Sequence, residues 1–281
     1  MDPKSSSDYL EEIGWGKYNK KVFIQCGVVR NIQAWTTEMI WEANIAYIME
    51  GSKAEFNLGG IEAGALGSFY TLGLTLGTTL WGMVGDRYGR MYAFKTTVCL
   101  TALFSLILVF AVNQYMMDVC LFFIGIGAGG ELALGGTVFY EFCPPSKAYY
   151  LTRMGVFWGL GGSLSALIAL ITIMTNKTSI STWRFIVAST FLIELFCAYY
   201  RFYLQETPAY CESSGQITKM ELILNSVSRS NNHCDLIFDI NLKNEGIIES
   251  PKRNPNSWAL VKELYKHHLK KVFIFGVVFG K

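Results

Sequence analysis

Six apolar runs, separated by short polar breaks, dominate residues 22–203: 22–49, 61–84, 92–112, 119–139, 154–174 and 185–203. A helix needs about 20 apolar residues to cross the hydrocarbon of a bilayer, so each run predicts a membrane helix. The first is long and impure, with Arg30, Glu38 and Glu42 inside it. The second is rich in Gly and Thr, and the fourth is broken by Gly125, Gly127, Gly129, Gly130, Gly135 and Gly136. Small residues repeated in the second, fourth and fifth runs predict faces that pack closely on other helices instead of facing lipid. From Cys211 to Lys270 the chain turns polar. Short amphipathic patterns at 220–227 and 258–269 flank a loop at 241–256 that contains Pro251 and Pro255. A last apolar run, 272–280, reaches about 14 Å as helix, less than half the hydrocarbon, and reads as the start of a truncated seventh helix.

The pattern divides the chain into a polar amino-terminal tail (1–21), a six-helix transmembrane bundle (22–210), a linker (211–270) and the start of helix seven (271–281). The fold class expected is all-α and polytopic. Composition agrees: 51% of the 281 residues are hydrophobic and 16% charged, against about a quarter charged in soluble domains. The net charge of +2 matters less than its distribution. Lys17, Lys20, Lys21, Arg87, Arg90, Lys95, Lys147 and Arg153 fall in the tail and near the loops after runs two and four. The opposite loops hold Lys53 and Lys177, with Arg184 at the start of run six. This asymmetry predicts a cytoplasmic amino terminus and a cytoplasmic linker. The tail has no apolar core or small-residue cleavage site, so it does not read as a signal peptide. Asn176-Lys177-Thr178 is then an outward glycosylation triplet, close to a helix end.

Seven cysteines lack metal-ligand spacing and read as free thiols. His233, His267 and His268 read as solvated, since adjacent histidines on a helix point about 100° apart. No cofactor and no metal are expected. Residues 125–130 carry four glycines in an apolar helix; a dinucleotide loop would instead follow a strand and open a helix, so an oxidoreductase reading is weak.

The stretch from Gly82 to Arg90 places three glycines among Asp86, Arg87 and Arg90 between two long apolar runs. Such a stretch cannot lie in hydrocarbon and predicts a tight surface loop. Gly82 and Gly85 there would admit close helix approach, and Asp86 would accept from backbone donors or pair with an arginine. The spacing of Gly82, Asp86, Arg87, Gly89 and Arg90 resembles the loop between the second and third helices of the major facilitator superfamily, with Met91 where a further base is usual. Residues 13–18, 125–130, 141–145 and 205–210 resemble further stretches of its branch holding synaptic vesicle protein two-related proteins, organic-ion carriers and sugar porters. The resemblance covers most of residues 13–210. It implies the amino-terminal half of a twelve-helix carrier, two three-helix units related by inverted repeat, and a substrate site near the midplane. It also implies that Glu141 and Glu206 belong to an inner-gate charge network. Arginines usual in that network are replaced here by Leu121 and Ala209, which leaves both acids short of their usual partners.

Ionisable groups inside a membrane helix are costly and mark sites or structural pairs. Glu38 and Glu42 share a face of the first helix, and Glu131 sits at mid-depth in the fourth between glycines and apolar residues. Glu38, Glu42, Glu131 and the aromatic Trp158 are the candidates to hold substrate or a proton. Trp35, Trp41 and Tyr70 are further aromatics in reach. The alternative for Glu38 and Glu131 is structural pairing with Arg30 or a neighbouring hydroxyl. Glu194 and Arg201, seven apart on one face of the sixth helix, are expected to pair. The function expected is transport of a small solute, an organic ion or sugar-like molecule, by alternating access. The alternative is a non-transporting membrane binding or scaffold protein derived from such a carrier. Expected partners are the small-molecule substrate, the lipid bilayer, a coupling proton and a carboxy-terminal bundle or second chain; nucleic acid is not expected. The site expected is a plasma or internal vesicle membrane.

Overall fold

The computed structural model describes residues 5–20, 22, 34–175, 182–202 and 204–231. Cys26, Arg30, the Asn176 triplet, Cys234, the three histidines, the second amphipathic pattern and the expected start of a seventh helix lie outside the described residues. The described residues form helices and turns, with no strand among them.

Six long helices make the bundle: α1 (Ala34–Phe56), α2 (Gly60–Tyr88), α3 (Arg90–Val109), α4 (Gln114–Phe142), α5 (Gly155–Thr175) and α6 (Thr182–Arg201). Stretches built on α3, α4, α5 and α6 are long and apolar enough to cross a membrane. α1 misses that measure because it carries Glu38, Glu42, Glu50, Lys53 and Glu55. α2 is diluted by glycine and threonine and is charged at both ends.

The expected loop at 82–90 is not a loop. α2 continues through Gly82 and Gly85 to Tyr88, and Gly89 alone separates it from α3. Gly89 has φ +116°, a conformation that side chains disfavour. Gly82 faces open space and brings no helix close, whereas Gly85 packs on Leu134.

α4 is central and touches α1, α2 and α3. Its packing on α2 is a seam of bare backbone. A side chain at Gly125 or Gly129 would strike the carbonyls of Tyr70 and Leu74 on α2; one at Gly73 or Gly77 would strike those of Phe122 and Ile126 on α4. Two glycine pairs four apart therefore face one another, which lets two backbones meet without a side chain between them. Gly127 turns the other way, onto Thr101 of α3, and Gly130 sits between Thr97 of α3 and Trp81 of α2. The run at 125–130 is thus the middle of a packed helix, which accounts for the glycines without a nucleotide.

A collar covers one end of the bundle. The lead-in helix Ser6–Ile13, the short helix Pro208–Ser213 and the helix Ile217–Ser230 bury Tyr9, Leu10, Ile13, Cys211, Ile223, Leu224 and Val227 against Phe139 and Phe142. The amphipathic pattern at 220–227 is therefore a helix docked on the bundle. Asn231 ties the collar together: its Oδ1 accepts from the Tyr18 N–H at 2.7 Å, and its Nδ2 donates to Asn19 Oδ1 at 2.8 Å. Asn19 in turn donates to the Phe142 carbonyl at 2.8 Å.

Candidate functional site

Mid-bundle, Glu131 of α4 meets Arg201 of α6 at 3.0 Å, with side chains 2% and 0% exposed. The Thr37 hydroxyl of α1 donates to the other Glu131 oxygen at 2.8 Å. Arg201 also donates to the Phe94 carbonyl at 3.2 Å, and its guanidinium lies 4.1 Å from the Phe94 ring centre. Four helices thus contribute to a single ion pair, while Arg201 Nε and Nη2 are buried without a hydrogen-bond partner among the described residues. A buried pair survives desolvation only with such additional partners.

The expected pair of Glu194 and Arg201 is replaced by this one. Glu194 instead accepts from the Trp41 indole N–H and from the Ser105 hydroxyl, the latter at 2.9 Å. Seven residues along a helix are about 10 Å apart, too far for direct contact unless both side chains lean together. The structural alternative for Glu131 is met by Arg201 and Thr37; Arg30 lies outside the described residues.

Glu38, one residue from Thr37, points toward α5 and accepts from the Trp158 indole N–H at 2.5 Å. It is buried, while Trp158 is 42% exposed and Glu42, one turn further on, is exposed. Trp35 sits beside Trp158, ring centres 6.5 Å apart. Of the aromatics considered from sequence, Trp41 and Tyr70 are buried in the core, and Trp35 and Trp158 remain near the surface. The structure thus brings Glu38, Trp158 and Trp35 together, places Glu42 beside them, and turns Glu131 inward to Arg201.

Among the described residues Glu38, Asp118, Glu131 and Glu194 are buried carboxyl groups, against one buried guanidinium, that of Arg201. Such an excess of acids has two chemical outlets, a bound proton or a bound cation. A polar bridge was not legible in the sequence: Asn44 of α1 donates to Thr190 of α6 at 2.8 Å and accepts from Ser165 of α5 at 2.6 Å. A second ion pair, Glu55 with Arg184 at 2.5 Å, joins α1 to α6 toward the other end.

At the collar end, Arg90 bridges Asp86 of α2 and Glu141 of α4, the latter at 3.1 Å. Glu206 accepts from the Met91 N–H at 3.1 Å and from the Thr207 N–H at 3.1 Å, capping the start of α3. Glu141 and Glu206 thus take other partners than the arginines usual there, and Glu141 Oε2 is buried without a hydrogen-bond partner among the described residues. Arg90 serves Glu141, and backbone donors at a helix start serve Glu206 in place of an arginine. Arg87 lies over the Tyr88 ring at 5.5 Å. Outside the spans, hydrogen bonding to Ser146 lowers the pKa of Glu11, and burial pushes the Cys211 thiol up to about 11. Among the described residues no group of three or more His, Cys, Asp or Glu side chains is placed to hold a metal ion.

A family model described as sugar (and other) transporter matches residues 36–280. The MFS siderochrome iron transporter 1 of Ceriporiopsis subvermispora is 24% identical over 236 residues, 79% of this chain and 44% of that protein. The synaptic vesicle 2-related protein of Xenopus laevis is 26% identical over 225 residues, 80% of this chain and 39% of that protein. The chain spans less than half the length of these relatives. The inward-open xylose transporter XylE from E. coli shares the fold with a TM-score of 0.63 at 15% identity, over 82% of this chain and 58% of the other.

Proposed function

From the premise that this chain belongs to the sugar (and other) transporter family of the major facilitator superfamily, we propose that it moves a small solute across a membrane by alternating access. The bundle is one wall of a central site, and a second bundle supplies the other wall. Four stretches long and apolar enough to span, together with family membership, make the chain an integral membrane protein. Relatives described as a niacin transporter and an organic cation/carnitine transporter, and a xylose symporter fold, support a small organic ion or sugar-like solute.

The observation that carries the reading is the Glu38–Trp158 contact, a buried carboxylate behind a half-exposed indole with the exposed acid Glu42 one turn away. It supports a proton- or cation-holding role for Glu38, which lies one residue from Thr37 and the ion pair that joins α4 and α6. Proton coupling follows if Glu38 loads from one side and releases to the other. The test is uptake of labelled organic ions and sugars into proteoliposomes against pH, with the carboxy-terminal bundle present. Glu38→Gln keeps an acceptor for Trp158 and cannot titrate, so it is expected to abolish pH dependence while exchange continues. Unchanged pH dependence at normal abundance would remove Glu38 from coupling. Asp86→Asn is expected to slow transport with binding retained.

The replacement of network arginines by Leu121 and Ala209 favours the second reading, a non-transporting binding protein. Absence of uptake for every solute class, with folded protein in the membrane, would select it. The Lys/Arg asymmetry supports a cytoplasmic amino terminus. Cys211 cannot report the orientation, since it is buried; labelling of Ser230→Cys, at an exposed position, does so.

A further inference from the structure

A cavity of about 520 Å³ opens between the start of α3, the segment after α6 and the helix Ile217–Ser230. Lys95 and Lys219 line it with Tyr92, Leu204, Leu222 and Glu206. Among the described residues neither lysine has an ion-pair partner. Glu206 is the one carboxylate in the lining, and its oxygens accept from the Met91 and Thr207 N–H groups. The cavity therefore carries a net positive charge, with its only acid already committed to backbone donors.

The setting is amphipathic. Lys95 lies five residues into α3, about 8 Å along the helix from Arg90, and its ammonium sits 6.0 Å from the Phe202 ring centre. Tyr92 and Phe202 are exposed beside it and Tyr88 lies next to Tyr92, the residue types that gather at a membrane–water boundary. The helix Ile217–Ser230 buries Met220, Ile223, Leu224 and Val227, yet leaves Leu222 67% exposed beside the cavity. An exposed leucine next to an unpaired lysine suits a surface that meets headgroup and acyl chain together. Phe202, just past the end of α6, is exposed beside Lys95, and Leu195 and Tyr199 are exposed on the last turns of α6.

We propose that this cavity is a binding site for the headgroup of an anionic phospholipid, with the phosphate held by Lys95 and Lys219 and the acyl chains lying along α6. A free phosphate would meet the same lysines, but the apolar lining of Met91, Leu204, Leu222 and Ile223 and the exposed Phe202 beside Lys95 commit the site to a lipid. The proposal rests on the reading that the chain crosses a membrane with this end at the interface.

The experiment places the purified chain in nanodiscs of phosphatidylcholine mixed with phosphatidylserine and weighs the lipid retained on extraction by native mass spectrometry. Phosphatidylserine is expected to be enriched roughly tenfold over its share of the bilayer. Lys95→Gln/Lys219→Gln should remove that enrichment, and Lys17→Gln/Lys20→Gln in the amino-terminal tail should leave it intact. A photoactivatable phosphatidylserine should crosslink to peptides containing Tyr92 or Leu222. Equal retention of the two lipids, retention unchanged in the first double variant, or equal loss in the second would overturn the site. Displacement of the lipid by millimolar inorganic phosphate would assign the cavity to a soluble anion and overturn it too. Release of the chain from membranes by alkaline carbonate would overturn the membrane reading itself. That result is distinct from an embedded chain without lipid preference, which overturns the site alone.

Discussion

The middle of the bundle and its collar end each join an arginine to a glutamate of α4, Arg201 to Glu131 at 3.0 Å and Arg90 to Glu141 at 3.1 Å. The two contacts have nearly the same geometry and differ in access to water. Arg201 and Glu131 are sealed from it, while Arg90 also holds Asp86, which is 59% exposed. Solvent and salt screen the outer set, so its bond is adjustable. The inner set has no such relief. Its desolvation cost is recovered only while every partner is present. The outer set is suited to exchanging partners during a conformational cycle, and the inner set to holding α4 against α6 throughout.

The sharpest way to break the comparison is Arg201→Leu, which leaves Glu131 buried without a cation. A loss of about 3–5 kcal/mol in unfolding free energy is expected, read from denaturation in detergent. Arg201→Leu/Glu131→Leu should recover most of that loss; a double variant no better than the single would show that charge is not the reason. Next comes the seam that positions α4 and both of its glutamates. Gly129→Val drives a side chain into the Leu74 carbonyl and is expected to cost about 1–3 kcal/mol, whereas Gly82→Ala faces open space inside α2 and should cost nothing or stabilise by up to about 1 kcal/mol. Equal effects at the two glycines would refute the seam. Glu141→Gln is expected to cost about 1 kcal/mol or less, and the difference from wild type should vanish at high salt. A salt-independent loss would place Glu141 with the inner set.

The smallest effect concerns Glu11, whose carboxylate accepts from the Ser146 N–H at 3.1 Å. Its pKa is lowered in the folded chain, so this contact contributes to docking of the lead-in helix above the ordinary carboxylate range and is lost as pH falls through the folded value. Exchange of the Ser146 amide should accelerate at acid pH in wild type, once corrected for intrinsic rate, and not in Glu11→Gln. Equal acceleration in both would dismiss the contact.

The long helices were legible because apolar runs of membrane length leave few other structures open. The α2–α4 seam was legible as repeated small residues, though not as facing pairs, since sequence does not show which glycines meet. The break at Gly89 was read too broadly. Glycine within a helix costs only about 1 kcal/mol, so Gly82 and Gly85 did not stop α2; only Gly89 has a backbone angle that a helix cannot hold. The partner of Glu131 was missed for a different reason. Arg201 lies 70 residues away, and helical spacing pointed it to Glu194, which the folded chain satisfies with Trp41 and Ser105 instead. Glu38 with Trp158 was legible only as two separate candidates.

Glu206 and Gly89 set an order of events in synthesis. A side chain at position 89 would occupy the space taken by the Glu206 carboxylate, and the Met91 N–H that this carboxylate accepts is 115 residues earlier in the chain. At ordinary translation speeds, roughly 6–23 s separate the making of the turn from the arrival of its acid. During that interval the helix pair α2–α3 exists with its junction unsealed, and the collar helix Pro208–Ser213 cannot yet dock beside it. The α2–α3 junction is therefore among the last parts of the bundle to be closed, although it is among the first to be made.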